Sequence, residues 1–208
     1  MTLTFRQVIR IAVRARELGP WGDCLILCIG LGFLGFFRQS NMLPKSAKAF
    51  DPTRHLCRKD VKVVTGGLQV RIRWTKTEQV SSDRQVLVPR LDDYPEACPV
   101  RAYQRMLQHS PTWYHDQPLF SFRERRLKTV TLSVVKAAFK GLLEATGHNA
   151  ASFTLHSLRR SGATHAHSKG VPIDYIRFQG FWKSDAMFRY VRPSTAHANP
   201  LVTAMTRP

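Results

Sequence analysis

Residues 24 to 37 form an uninterrupted apolar run of 14 positions that contains three glycines and is closed by Arg38. The run is too short to cross a bilayer and too apolar to lie on a surface, so it reads as a helix buried inside a protein core. It extends back to about Trp21 and delivers Arg38 at or just past its end. A helix of this kind must be covered by other elements, and the flanking sequence supplies them.

On the N-terminal side, Thr4 and Gln7 have the spacing of a capping box. Phe5, Val8, Ile9 and Ala12 follow at helical intervals, with Arg6, Arg10 and Arg14 along another face. Gly19-Pro20 stops this first helix. After Arg38 the period shortens. Val61–Val64, Leu68–Thr75 and Arg84–Leu91 read as three β-strands, the first two joined at Gly66-Gly67. The middle strand alternates Leu68, Val70, Ile72 and Trp74 with Gln69, Arg71 and Arg73, giving one apolar and one basic face. Helices resume at Pro99, over Thr131–Thr146, from Leu155 to Gly170 and from Pro172 to Gln179. Ser184 is placed to cap a last helix carrying Tyr190. The expected fold is therefore mainly α, with a small antiparallel three-stranded sheet inserted after the second helix.

Lys and Arg total 32 against 14 Asp and Glu, a formal net charge of +18. Such an excess points to a polyanionic partner, nucleic acid first, with an anionic membrane surface or an acidic protein behind it. The four cysteines have neither disulfide nor zinc spacing. They read as buried free thiols in a reducing, intracellular compartment. No cleavable signal, membrane span, metal site or cofactor motif is visible, and a soluble protein is expected.

Cleaving a phosphodiester requires neutralised nonbridging oxygens, an in-line nucleophile and a proton for the leaving oxygen. With so few carboxylates and none clustered for two metals, cationic side chains would have to do this work. The segment Leu155-His156-Ser157-Leu158-Arg159-Arg160-Ser161-Gly162 places His156 and Arg159 three apart on one helical face. Arg38 lies in Gly35-Phe36-Phe37-Arg38-Gln39-Ser40-Asn41, and Lys76 in the turn after Trp74. Trp182 and Tyr190 close the series within Gln179-Gly180-Phe181-Trp182-Lys183-Ser184-Asp185 and Phe188-Arg189-Tyr190.

Arg, Lys, His-x-x-Arg, Trp and Tyr in that order resemble the tyrosine recombinase signature. The local wording looks closest to the eukaryotic recombinases of DIRS- and Ngaro-type retrotransposons and related cellular genes. The resemblance implies a catalytic domain over residues 1–191 and a tail, 192–208, suited to docking on a neighbouring subunit. On the same resemblance, the family's clamp-closing N-terminal core-binding domain is expected to be absent from this chain. Arg38 and Arg159 would bind the scissile phosphate, Tyr190 would attack it, and Lys76 would protonate the leaving 5′-hydroxyl. His156 would serve as base or phosphate donor, and Trp182 would bond or underlie the phosphate. Neither metal nor ATP is implied. Double-stranded DNA, a homotetramer on DNA, a monomer in isolation and a nuclear location are the further expectations. One departure stands out: Phe181 follows Gly180, and Trp182 lies eight positions before Tyr190 rather than nine.

Each residue also has a structural reading. Arg38 would cap helix carbonyls, Lys76 would be a solvated turn lysine, and Trp182 and Tyr190 would be core aromatics. The basic stretch Arg123–Lys128 reads as a DNA-gripping loop or a nuclear-import signal. Two rivals remain: a non-catalytic DNA-binding protein derived from a recombinase, and a relaxing topoisomerase.

Overall fold

The protein is described here by a computed structural model covering residues 1–74, 84–110, 116–123, 127–182 and 187–188. Its helices are α1 (Phe5–Arg16), α2 (Pro20–Phe33), α3 (Gln39–Met42), α4 (Pro99–His109), α5 (Leu132–Ala145), α6 (Leu155–Ser168) and α7 (Ile173–Gly180). Strands β1 (Val61–Val64), β2 (Gly67–Ile72) and β3 (Arg84–Pro89) form an antiparallel sheet in that order. Mainly helical with a small three-stranded sheet, this is the expected fold class.

α2 is the axis of the core. Every residue from Gly22 to Phe33 is buried, and α1, α4 and α6 pack against it. α1 presents Val8, Ile11, Ala12 and Ala15, and its N-terminus carries the expected capping box between Thr4 and Gln7. Arg6, Arg10 and Arg14 remain exposed on its other side. Gly19, at φ 62°, ends the α1–α2 link, and Pro20 opens α2 as its first residue. α6 crosses α2 at close range. A Cβ at Gly162 would stand 1.8 Å from the Phe33 carbonyl oxygen, so only glycine lets α6 approach this closely.

α2 ends at Phe33, four residues before the apolar run does. The reason lies in the two phenylalanines that follow. Phe37 joins the main core, whereas Phe36 packs in a second cluster with Ala163, Ile176, Trp182 and Met187. The helix does not continue to them. Instead Phe36 takes a left-handed backbone at φ 54°, and Arg38 becomes the N-cap residue of α3 rather than the end of α2.

In the sheet, Val70 of β2 faces Val61 on one side and Val86 on the other. Leu68, Val70 and Ile72 point into the core, while Arg71 is exposed. β2 ends at Ile72, short of the expected Thr75, which lies outside the described residues. Arg73 turns back to pair with buried Asp60 at 2.5 Å, which takes it out of the basic face expected of the strand. A second, two-stranded sheet, β4 (Ser121–Arg123) and β5 (Leu127–Thr129), was not foreseen. It takes in both ends of the basic stretch read as a loop. The four cysteines are free and buried, and burial pushes Cys24 and Cys28 up to about 12. Among the described residues no helix is long and apolar enough to cross a membrane.

Two glycine substitutions test this packing. Gly162→Ala should destabilise the protein by about 3 kcal/mol through overpacking against backbone. Gly141→Ala, in α5 with open space around it, should instead stabilise it by about 0.5–1 kcal/mol. Urea unfolding of both variants measures the contrast.

Candidate active site

The site begins at the start of α6. Thr154 and Ser157 cap this helix reciprocally, the Thr154 N–H donating to the Ser157 hydroxyl at 3.0 Å. That cap places His156 in the first turn, exposed at the surface, and Arg159 one turn further on the face that packs inward. Arg159 is only 2% exposed. One of its terminal nitrogens donates to the Phe36 carbonyl, and the other donates to the Gly180 carbonyl at 2.6 Å. Its guanidinium carbon sits 3.9 Å from the centroid of the Trp182 ring.

A single side chain thus fastens the turn after α2 to the last turn of α7. A hydrogen bond from a charged donor contributes about 1.5–3 kcal/mol, and a desolvated cation over an aromatic face adds about 2 kcal/mol. Trp182 is buried beneath the guanidinium and stands 6.0 Å from the Phe36 ring. Phe181, left-handed at φ 55°, turns the other way and lies under Arg84, at 5.5 Å. The unexpected Gly-Phe-Trp order therefore puts the tryptophan, not the residue after the glycine, against the central arginine.

Arg38, Asn41 and Arg159 line one narrow cleft together with Ile72 of β2. His156 shares its field. The His156 imidazole is held below its ordinary 6.5, first by partial desolvation and then by the positive charges of Arg159, Arg160 and Arg38. It is therefore neutral at pH 7 and able to accept a proton. The structure brings Arg38, His156, Arg159 and Trp182 together from three separate stretches of chain. Lys76 and Tyr190 lie outside the described residues.

Asn41 was quoted in the sequence motif but given no role. It is 4% exposed, and its amide donates to the Trp74 carbonyl at 2.6 Å. Its position three residues after Arg38 was the available signal. The roles of the Phe36 and Gly180 carbonyls left no trace in residue type, because they are backbone atoms.

Among solved structures the chain is similar to XerH site-specific recombinase bound to difH substrate in a pre-cleavage complex. The TM-score is 0.66 at 13% identity, over 100% of this chain and 55% of that one. XerA recombinase follows with a TM-score of 0.61 at 15% identity, over 100% of this chain and 66% of that one. A lambda integrase dimer bound to a COC′ core site gives 0.55 at 18% identity, over 91% of this chain and 47% of that one. The chain thus spans about half to two thirds of the length of these structures. No protein-family model and no curated protein matches the sequence. Fold and neighbours define a class: this is the catalytic-domain fold of the tyrosine recombinases.

The charge balance at His156 can be measured directly. Its folded value lies below the unfolded 6.5, so the stability it contributes is complete above pH 6.5 and is lost as pH falls through that value toward the folded one. NMR titration of His156 should give a value below 6.5, and Arg38→Gln should move it upward by removing one of the three cations. A value at or above 6.5, unmoved by the substitution, would contradict the arrangement.

Proposed function

We propose that this chain is the catalytic domain of a tyrosine recombinase, breaking and rejoining duplex DNA through Tyr190. The observation that carries the reading is the placement of Arg38 and Arg159 on one cleft, with His156 in the electrostatic field of both, on a fold shared with DNA recombinases. In this reading Arg38 and Arg159 neutralise the nonbridging oxygens of the scissile phosphate, a task suited to planar guanidinium forks. Neutral His156 takes the proton of the Tyr190 hydroxyl or donates to the phosphate. The Tyr190 oxygen attacks phosphorus, a 3′-phosphotyrosyl bond forms, and the bond to the 5′-oxygen breaks. Lys76 supplies the proton that oxygen needs to leave as a hydroxyl. A free 5′-hydroxyl reverses the sequence on a new strand, with bond energy kept in the covalent link, so neither metal nor nucleotide enters the cycle.

The net charge of +18 supports duplex DNA as the partner. Exposed Arg6, Arg10, Arg14 and Arg71 are the backbone contacts this reading favours. We place the chain nearest the DIRS- and Ngaro-type recombinases on the wording of its motifs, acting in the nucleus as a tetramer on two DNA segments and as a monomer alone. Residues 192–208 serve as the inter-subunit tail.

A nicked suicide duplex drawn from a pool of sequences tests the reading in EDTA. Wild type should leave a covalent adduct at a DNA 3′ end, and Tyr190→Phe should leave none. Binding of both proteins should weaken with salt, with a log–log slope of about −0.9 per phosphate neutralised. Tight, salt-sensitive binding without an adduct from wild type would identify a DNA-binding remnant. Relaxation of a supercoiled plasmid without recombinant products would identify a topoisomerase.

A further inference from the structure

We infer that Asn41 is the positioning residue of the β2–β3 hairpin, fixing the path of the chain at Trp74, two residues past the end of the sheet and two before Lys76. The inference rests on the proposed role of Lys76 as general acid and adds the element that would hold it in register with the phosphate. The last ladder pair of the hairpin is Ile72 opposite Arg84. Trp74 lies two residues beyond it, where pairing between strands no longer dictates the path. There the buried Asn41 side chain donates to the Trp74 carbonyl at 2.6 Å, and Arg54 lies 5.6 Å over the Trp74 ring. Asn41 is itself held at both backbone groups. Its N–H donates to the Arg38 carbonyl at 3.0 Å, and its own carbonyl accepts from Leu56 at 3.0 Å.

The consequence is geometric. α3 presents a proposed phosphate ligand, Arg38, at its N-cap and grips the hairpin three residues later through Asn41. A rigid helical turn thus separates the anion-binding group from the anchor of the strand leading to the acid. β3 is tied down separately: Gln179 donates to the Leu87 carbonyl at 2.9 Å, beside the Arg84–Phe181 contact. Only a donor can satisfy the Trp74 carbonyl. Asparagine fits, whereas a carboxylate in its place would set acceptor against acceptor.

The experiment compares wild type, Lys76→Ala, Asn41→Ala and Asn41→Asp in single-turnover cleavage of a suicide duplex that wild type selects from the pool. Each is assayed with the natural 5′-oxygen and with a bridging 5′-sulfur at the scissile phosphate. A thiolate leaves without a proton, so sulfur bypasses the general acid alone. Losing an acid costs about 10²–10⁴-fold, and misplacing one costs on the order of 10–100-fold. Both Asn41 variants should lose about 10–100-fold on oxygen and regain the wild-type rate within about threefold on sulfur, with DNA affinity unchanged. An equal loss on both substrates, or no loss on either, overturns the inference. A Lys76→Ala variant that sulfur fails to rescue instead removes the acid assignment, and the inference with it. If wild type forms no adduct on any duplex, the proposed function falls and amide hydrogen exchange judges the anchor. Faster exchange in Asn41→Ala confined to residues 73–84 supports it, and unchanged exchange there overturns it.

Discussion

The whole site hangs on the burial of one guanidinium. Arg159 is among the largest fully buried side chains of the protein, and taking such a charge out of water costs several kcal/mol unless its donors are satisfied. The backbone meets that requirement by bending toward it. Phe36 adopts a left-handed conformation that no β-carbon favours, and its carbonyl receives one Arg159 N–H. Gly180 offers a second carbonyl from the last turn of α7. Trp182 closes the underside with the face of its ring. Two bends and one aromatic are thus organised around one charge, and each would relax without it.

That dependence explains why α2 and α6 must touch so closely. The Arg159 side chain reaches the Phe36 carbonyl only if the two helices approach until Gly162 meets the Phe33 carbonyl. Leu158 on the neighbouring turn packs over Gly32. The apolar helix therefore does more than fill the core. It is the surface against which α6 is registered, and the register decides where His156 and Arg159 point.

Much of this was legible in the sequence. The buried helix, the capping box of α1, the alternation of β2 and the His156–Arg159 spacing are statements about period, and period survives folding. What escaped is what depends on atoms every residue shares. The end of α2 at Phe33 could not be read from Phe36 and Phe37, because hydrophobicity does not say into which cluster a phenylalanine goes. Arg73 looked like part of a basic face until Asp60, thirteen positions earlier, proved to be its partner. The β4–β5 pair is three residues per strand, too short for alternation to register. The packing of Trp182 beneath Arg159 goes with the left-handed turn at Phe181, which nothing in a phenylalanine announces.

The electrostatics of the cleft carry the argument one step further. Desolvation first, and then the charges of Arg159, Arg160 and Arg38, act against protonation of His156, so the cations of the cluster repel one another's charge. A fold tolerates that repulsion only where other interactions over-determine the geometry, and here the carbonyl bonds and the Trp182 stack do so for Arg159. An arriving phosphate would reverse the balance, attracting the guanidinium groups and making a protonated His156 less costly. In the proposed function, an imidazole whose pKa the neighbouring cations lower and a phosphate would raise is suited to taking up a proton during the reaction rather than before it. Buried Arg159 thus holds the turns of the site together and adds to the desolvation that already lowers the pKa of His156.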